Sequence, residues 1–248
     1  MLKIIDLQTE YRSNPIGLDE RNPAFSWKLQ SDHRNIRQVS CRIHVLQDGR
    51  TVWDTGLLET DQSVYHVYSG EPLAPQTCYQ VRVDVCDSRN EAASAEGFFE
   101  TGLLQWRNME AHWITHGFED DLIPCAVFRR SFSVRKRLRR ARAYVTSLGV
   151  YEMSINGQRA GDAFLAPGWT SYQERLQVQT YDITACLQEE NLLEVTVGNG
   201  WYKGILGFYG QGNHYGNRTA LLAQIELGYE DGTRERICTD EHWLSTTG

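Results

Sequence analysis

Three stretches in the second half of the chain set aromatic rings and side-chain amides among glycines. LAPGWTSY (165–172) places Trp169 and Tyr172 after a Pro-Gly turn, and VGNGWYKG (197–204) carries Asn199, Trp201 and Tyr202. GFYGQGNHYGNR (207–218) carries Phe208, Tyr209 and Tyr215 with the amides of Gln211, Asn213 and Asn217. Glycine supplies sharp turns and no side-chain cover, so a tryptophan in such a setting has two uses. It plugs a core from a loop, or it shows a flat face to a ligand. The negative face of an aromatic ring suits the C–H face of a pyranose, and a planar amide offers a hydroxyl both a donor and an acceptor. Trp169, Tyr172, Asn199, Trp201 and Tyr202 are therefore candidate sugar contacts, with core packing as the alternative for each.

No catalytic machinery is legible beside them. Glycoside hydrolysis needs two carboxyl groups flanking a bond, one protonated and one ionised. The acidic runs Glu119-Asp120-Asp121 and Glu189-Glu190 lie in polar stretches and read as solvated surface. A GxSxG elbow and a P-loop are both missing from the sequence. His112 and His116 are four residues apart, a helical ligand spacing. Their β-rich context puts them instead on one face of a strand, too far apart along it to share a metal. The other histidines are isolated.

Composition narrows the class further. Apolar residues make up 41% of the 248 and charged residues 23%, which suits a packed core and argues against disorder. The net charge of −7 opposes nucleic-acid binding. The basic run RKRLRRAR (135–142) accordingly reads as a solvated edge leading into an apolar strand. No apolar run approaches the ~18 residues of a membrane span, and the start MLKIIDLQTEYRSNP is too polar for a secretion signal. Six cysteines stand singly, several inside strand-like alternation. They read as buried free thiols, and the expected location is cytoplasmic, with an exported protein holding native disulfides as the alternative.

The elements that must position the rings are strands. VSCRIHVL (39–46) alternates Val39, Cys41, Ile43 and Val45 with polar residues, and CYQVRVDVC (78–86) does the same with Tyr79, Val81, Val83 and Val85. Period two marks strands with one buried and one wet face, the habit of antiparallel sandwiches. Asn156-Gly157 and Asp231-Gly232 predict hairpin turns. Asp182 before ITACLQEE predicts a helix of one or two turns. The expected fold is all-β, with two β-sandwich domains. Residues 1–104 have the rhythm of a fibronectin III or immunoglobulin-like sandwich, with about seven short strands and no cysteine pair at antibody spacing. Residues 105–112 read as a linker, and 113–248 as a jelly-roll-like sandwich of the carbohydrate-binding type.

Several segments resemble a known family. NPAFSWKL (22–29), VWDTGLL (52–58), CYQVRVDVCD (78–87) and FFETGLL (98–104) resemble the fibronectin-like N-terminal module of bacterial α-L-rhamnosidases. LGVYEMSINGQRAGDAFLAPGWTSYQERLQVQTYDIT (148–184), NGWYKG (199–204) and YEDGTRERICTDEHW (229–243) resemble the β-sandwich module that follows it, so the likeness spans essentially the whole chain in order. The resemblance implies hydrolysis of terminal α-L-rhamnosyl groups with inversion at the anomeric carbon. It also implies that the catalytic carboxylates lie on an (α/α)₆ barrel after these modules.

The sequence given stops at Gly248, and no catalytic residue can be carried over onto it. It is expected to be the front piece of a longer enzyme, inactive alone, with the barrel of the same polypeptide and a rhamnosyl glycoside as its partners, its second module either aiding sugar recognition or packing on that barrel. The alternative is a stand-alone carbohydrate-binding protein without catalysis. Neither nucleic acid nor membrane is an expected partner. The second module is similar to sugar-binding domains, some of which hold rhamnose through calcium. Asp162, Asn156 and Asn199 are the oxygen donors near the matching motifs. Asn156 can also serve only its Asn-Gly turn, and Asp162 only a loop cap. No other cofactor is expected.

Overall fold

The computed structural model describes residues 1–119, 125–207 and 210–247. Asp120, Asp121, Phe208 and Tyr209, singled out above, lie outside the described residues. The chain forms two compact units, Met1–Asn108 and Met109–Gly248. Both are β-sandwiches, and the fold class is all-β.

In the first unit, β1 (Leu2–Thr9), β2 (Ala24–Ser31) and β5 (His66–Val67) form one sheet. The other holds β4 (Arg50–Asp54), β3 (Gln38–Gln47), β6 (Cys78–Asp87) and β7 (Ala92–Glu100), in that order. All pairs are antiparallel. The inward sides meet in one core, where Phe25 of β2 and Phe99 of β7 stand 5.9 Å apart among Trp27, Ile43, Val45, Val81 and Val83. Tyr79, Val81, Val83 and Val85 are buried on one face, as the alternation predicts.

β3 departs from the expected pattern at its start. Its register slips between Gln38 and Ser40 against β6, so Val39 is exposed and Gln38 is buried at 3%. A bulge adds one residue and turns the side chains before it to the other face. The buried amide is fully used. Its oxygen accepts the Trp27 indole N–H at 3.0 Å, and its nitrogen donates to the carbonyls of Thr60 at 3.1 Å and Gln62 at 2.7 Å. Gln38 thus ties the central tryptophan to the loop before β5.

The second unit stacks two larger sheets. One runs β11 (Gln158–Arg159), β10 (Val150–Ile155), β13 (Glu190–Gly198), β8 (Cys125–Ser133), β16 (Leu244–Thr246). The other runs β12 (Gln179–Asp182), β9 (Leu138–Leu148), β14 (Ala220–Tyr229), β15 (Arg234–Cys238). Phe128, Met153, Ile155 and Val195 from the first pack against Ala143, Val145, Leu221 and Ile225 from the second. The two hairpin turns form where Asn156-Gly157 and Asp231-Gly232 predict them, and Asn156 and Gly157 both take the positive φ that such a turn requires.

Further expectations need correction. The helix predicted after Asp182 is a single 3-10 turn, Thr184–Cys186. Asp182 ends β12 and accepts the Thr184 backbone N–H at 3.0 Å. The only four-residue α-helix described, α1 (Gly200–Lys203), falls in the stretch read as a loop. His112 and His116 lie in no strand; His116 is buried against Phe118. Of the six thiols only Cys41 is buried; Cys78 is exposed at the start of β6, Cys86, Cys125 and Cys238 are half-buried at or near strand ends, and Cys186 is half-buried in the 3-10 turn. The basic run is a solvated edge only at residues 135–137; from Leu138 it runs inside β9, where Arg142 is buried. Arg135 pairs with Glu189 and Glu190, Lys136 with Asp231, Arg137 with Glu230 and Arg142 with Asp182.

Replacing Gln38 with leucine orphans the Trp27 N–H and two loop carbonyls. It should lower stability by about 1–3 kcal/mol, read as a shift in the urea midpoint. An unchanged midpoint would remove Gln38 from the account of this core.

Candidate functional site

The three glycine-framed stretches converge at one end of the second sandwich. The first is pinned to β10, where the Tyr151 N–H donates to the Ala166 carbonyl at 2.7 Å. Gly168, at φ 98°, then turns the chain so that Trp169 emerges with 55% of its surface exposed. The second leaves β13 and winds into α1. Gly200 holds φ 49°, and a Cβ there would stand 2.5 Å from Val150 Cγ1, so only glycine passes. The third folds back on α1: Asn213 N–H donates to the Lys203 carbonyl at 2.9 Å, and Tyr215 N–H to that of Tyr202 at 3.3 Å.

These paths bring five rings together. Trp169 and Trp201 lie within 6° of parallel with centroids 5.9 Å apart. Face-to-face carbon contact needs only ~3.5–4.0 Å, so the two rings are not superposed as a tight sandwich. Tyr172 meets Tyr202 edge-on at 5.2 Å and Tyr215 at 4.9 Å. The Trp169 indole N–H donates to the Tyr215 hydroxyl at 3.2 Å, and the Tyr172 hydroxyl donates to the Gly168 carbonyl at 3.2 Å. Burial pushes the Tyr172 phenol up, which keeps it a neutral donor.

The rings divide by exposure. Trp169 faces outward, while Tyr172, Trp201, Tyr202 and Tyr215 are half-buried. Tyr202 is the packing ring: a Cβ on Gly216 would collide with its hydroxyl and ring. Asn199 is exposed at the start of α1, and its side chain makes no hydrogen bond among the described residues. Tyr215, absent from the leading candidates, is the residue that links the tryptophan pair to the tyrosines. Its signal was the glycine-framed tyrosine itself, one of several in that stretch.

The calcium set does not assemble. The amide nitrogen of Asn156 donates to the Cys186 carbonyl and to Asn191 Oδ1, both at 3.0 Å, and its oxygen accepts the Leu192 N–H at 2.9 Å. Asn156 follows Ile155, and Asn199 follows Gly198, which pairs with Val150. They sit at opposite ends of the β10–β13 pair, about 20 Å apart at ~3.3 Å per residue. Asp162 is an exposed loop residue. Among the described residues no group of three or more His, Cys, Asp or Glu side chains could hold a metal.

Glu189 and Glu190 are not arranged as a hydrolytic pair. Glu189 and Glu190 clasp Arg135, and the Ser133 hydroxyl holds the Glu190 carboxyl below its ordinary pKa. A general acid needs the opposite shift.

Two family models cover most of the chain. Residues 4–105 match the Rha78A-like N-terminal immunoglobulin domain, and residues 136–248 match the α-L-rhamnosidase N-terminal domain. The chain consists of the N-terminal domains of the α-L-rhamnosidase family. An α-L-rhamnosidase of Formosa agariphila is 30% identical over 94% of this chain, which covers 27% of that protein. One from Streptomyces avermitilis is 48% identical over 46% of the chain and is covered over 11% of its own length. The crystal structure of the Aspergillus terreus α-L-rhamnosidase superposes over the whole chain with a TM-score of 0.92 at 33% identity, and 30% of it is covered. The chain thus spans less than a third of the length of these rhamnosidases. All three aromatic stretches fall inside the matched rhamnosidase N-terminal domain.

If Trp169 is the outward ring and Tyr202 the packing ring, their truncations must differ. Trp169→Ala should cost no more than about 1 kcal/mol. Tyr202→Ala should cost about 2–3 kcal/mol. Chemical denaturation separates the two, and equal losses would undo the division.

Proposed function

We propose that this chain is the sugar-recognising front of an α-L-rhamnosidase. In this reading the polypeptide to which it belongs removes terminal α-L-rhamnosyl groups from glycosides. The chemistry is carried outside these 248 residues, on the helical barrel that the family resemblance implies, and the aromatic cluster of the second unit holds a rhamnosyl group.

One observation carries the binding half of the reading: an exposed Trp169 ring whose indole N–H is committed to Tyr215. That bond occupies the Tyr215 oxygen as an acceptor, while the phenol's own proton has no acceptor among the described residues. The arrangement offers a sugar a flat face for its C–H groups and, beside it, a hydroxyl donor already oriented by another bond. The exposed Asn199 amide adds a donor and an acceptor at the rim.

Titration with L-rhamnose, followed by tryptophan fluorescence with D-glucose as the control sugar, tests this reading. Saturable quenching by rhamnose is expected, lost in Trp169→Ala with the fold intact. Tyr215→Phe removes the hydroxyl donor together with the acceptor of the Trp169 N–H, and should weaken binding about three- to tenfold. A flat titration, or one that Trp169→Ala leaves unchanged, overturns the binding role. The enzymatic half is tested by the size of the native polypeptide in its source cells, detected with an antibody to this chain. A species several times longer than 248 residues, active on an α-L-rhamnoside, is expected. One of this length alone overturns it.

A further inference from the structure

The chain contains two Asn-Gly steps, Asn156-Gly157 and Asn199-Gly200, and the fold treats their amides oppositely. We propose that Asn199 is a site of spontaneous deamidation in the folded protein, while Asn156 is protected.

A glycine after asparagine leaves its backbone nitrogen least hindered, because no Cβ shields it. In the reaction the Gly200 nitrogen attacks Asn199 Cγ. The N–Cγ bond forms, the Cγ–Nδ2 bond breaks, and the side-chain nitrogen leaves as ammonia with the proton from the attacking amide. Water then opens the cyclic imide at either carbonyl, leaving an aspartyl or isoaspartyl linkage at position 199. No oxidant or co-reactant beyond water is needed.

The local structure decides which step reacts. Asn199 is exposed, its side chain makes no hydrogen bond among the described residues, and the Gly200 N–H is likewise unbonded there. Attack requires Asn199 to turn away from ψ −41°. That motion gives up one backbone hydrogen bond, from the Lys203 N–H to the Asn199 carbonyl at 3.1 Å, and shifts Gly200 where it passes close to Val150. A helix of four residues, with no side-chain cap, opposes it little. Asn156 is held by three side-chain bonds, to Cys186, Asn191 and Leu192. Its own N–H adds a fourth, to the Leu192 carbonyl at 2.9 Å. Swinging its Cγ onto Gly157 breaks the side-chain bonds together.

The consequence falls on the aromatic loop. Conversion puts a carboxylate two residues before Trp201 and removes an amide donor from the rim. The difference between the two asparagines lies in their hydrogen bonds and is independent of sugar binding.

The test is to incubate the full chain at mildly alkaline pH in ¹⁸O-water, then map the peptides containing positions 156 and 199 by mass spectrometry. A parallel sample is held unfolded in urea. In the folded sample position 199 should convert roughly tenfold faster than position 156 or more, given two additional bonds to break at the protected site. In urea the two should convert at similar rates. Asn199→Gln should remove the fast product. Equal rates in the folded chain, faster conversion at 156, or none at 199 while the urea sample reacts, would each overturn the proposal.

Discussion

The aromatic end of the second sandwich depends on how closely the chain leaving β13 passes the start of β10. Val150 pairs with Gly198, so the exit of one strand and the entry of the other lie side by side. A Cβ on Gly149 would run into the Gly198 carbonyl oxygen, and a Cβ on Gly200 would run into Val150. Gly149 holds φ 136° and Gly200 φ 49°, values that side chains resist. With any other residue at these points the two paths would have to separate. α1 would then start elsewhere, and Trp201 would leave Trp169.

Ring stacking follows from that approach and does not cause it. Each aromatic pair contributes about 0.5–1.5 kcal/mol beyond its burial, whereas fixing one loop residue costs about 1–2 kcal/mol. Three ring contacts cannot order three loops on that scale. Backbone bonds of similar individual worth add to them and fix the paths: Ala166 on Tyr151, Asn213 on Lys203, Tyr215 on Tyr202. The loops are assembled as an extension of the sheet ends, and the rings occupy the space so defined. This is why a tryptophan can remain more than half exposed without its loop losing its path.

Much of the fold was legible in the residues because a half-buried strand writes itself as alternation. Tyr79 to Val85 is such a strand, and the Asn-Gly and Asp-Gly turns need little beyond their own chemistry. The failures share a cause. Val39 read as buried because period two was continued through a bulge that local sequence does not announce. Asp182 read as a helix cap because an Asx turn after a strand uses the same carboxylate–amide bond as an N-cap. The cysteines read as buried because strand membership was visible while face was not.

At the site, residue types were legible and their division of labour was not. Trp169, Tyr172, Trp201 and Tyr202 do come together, but nothing near Trp201 in the chain says which ring faces water. That is decided by Gly216, which leaves room for the Tyr202 phenol, and by Tyr215, which takes the Trp169 N–H from another loop. The calcium set failed for a related reason. Asn156 and Asn199 lie in similar glycine-flanked motifs, yet the antiparallel register of β10 and β13 carries them to opposite ends of one strand pair. Motif chemistry names what a residue can do, and strand register then decides in whose company it does it.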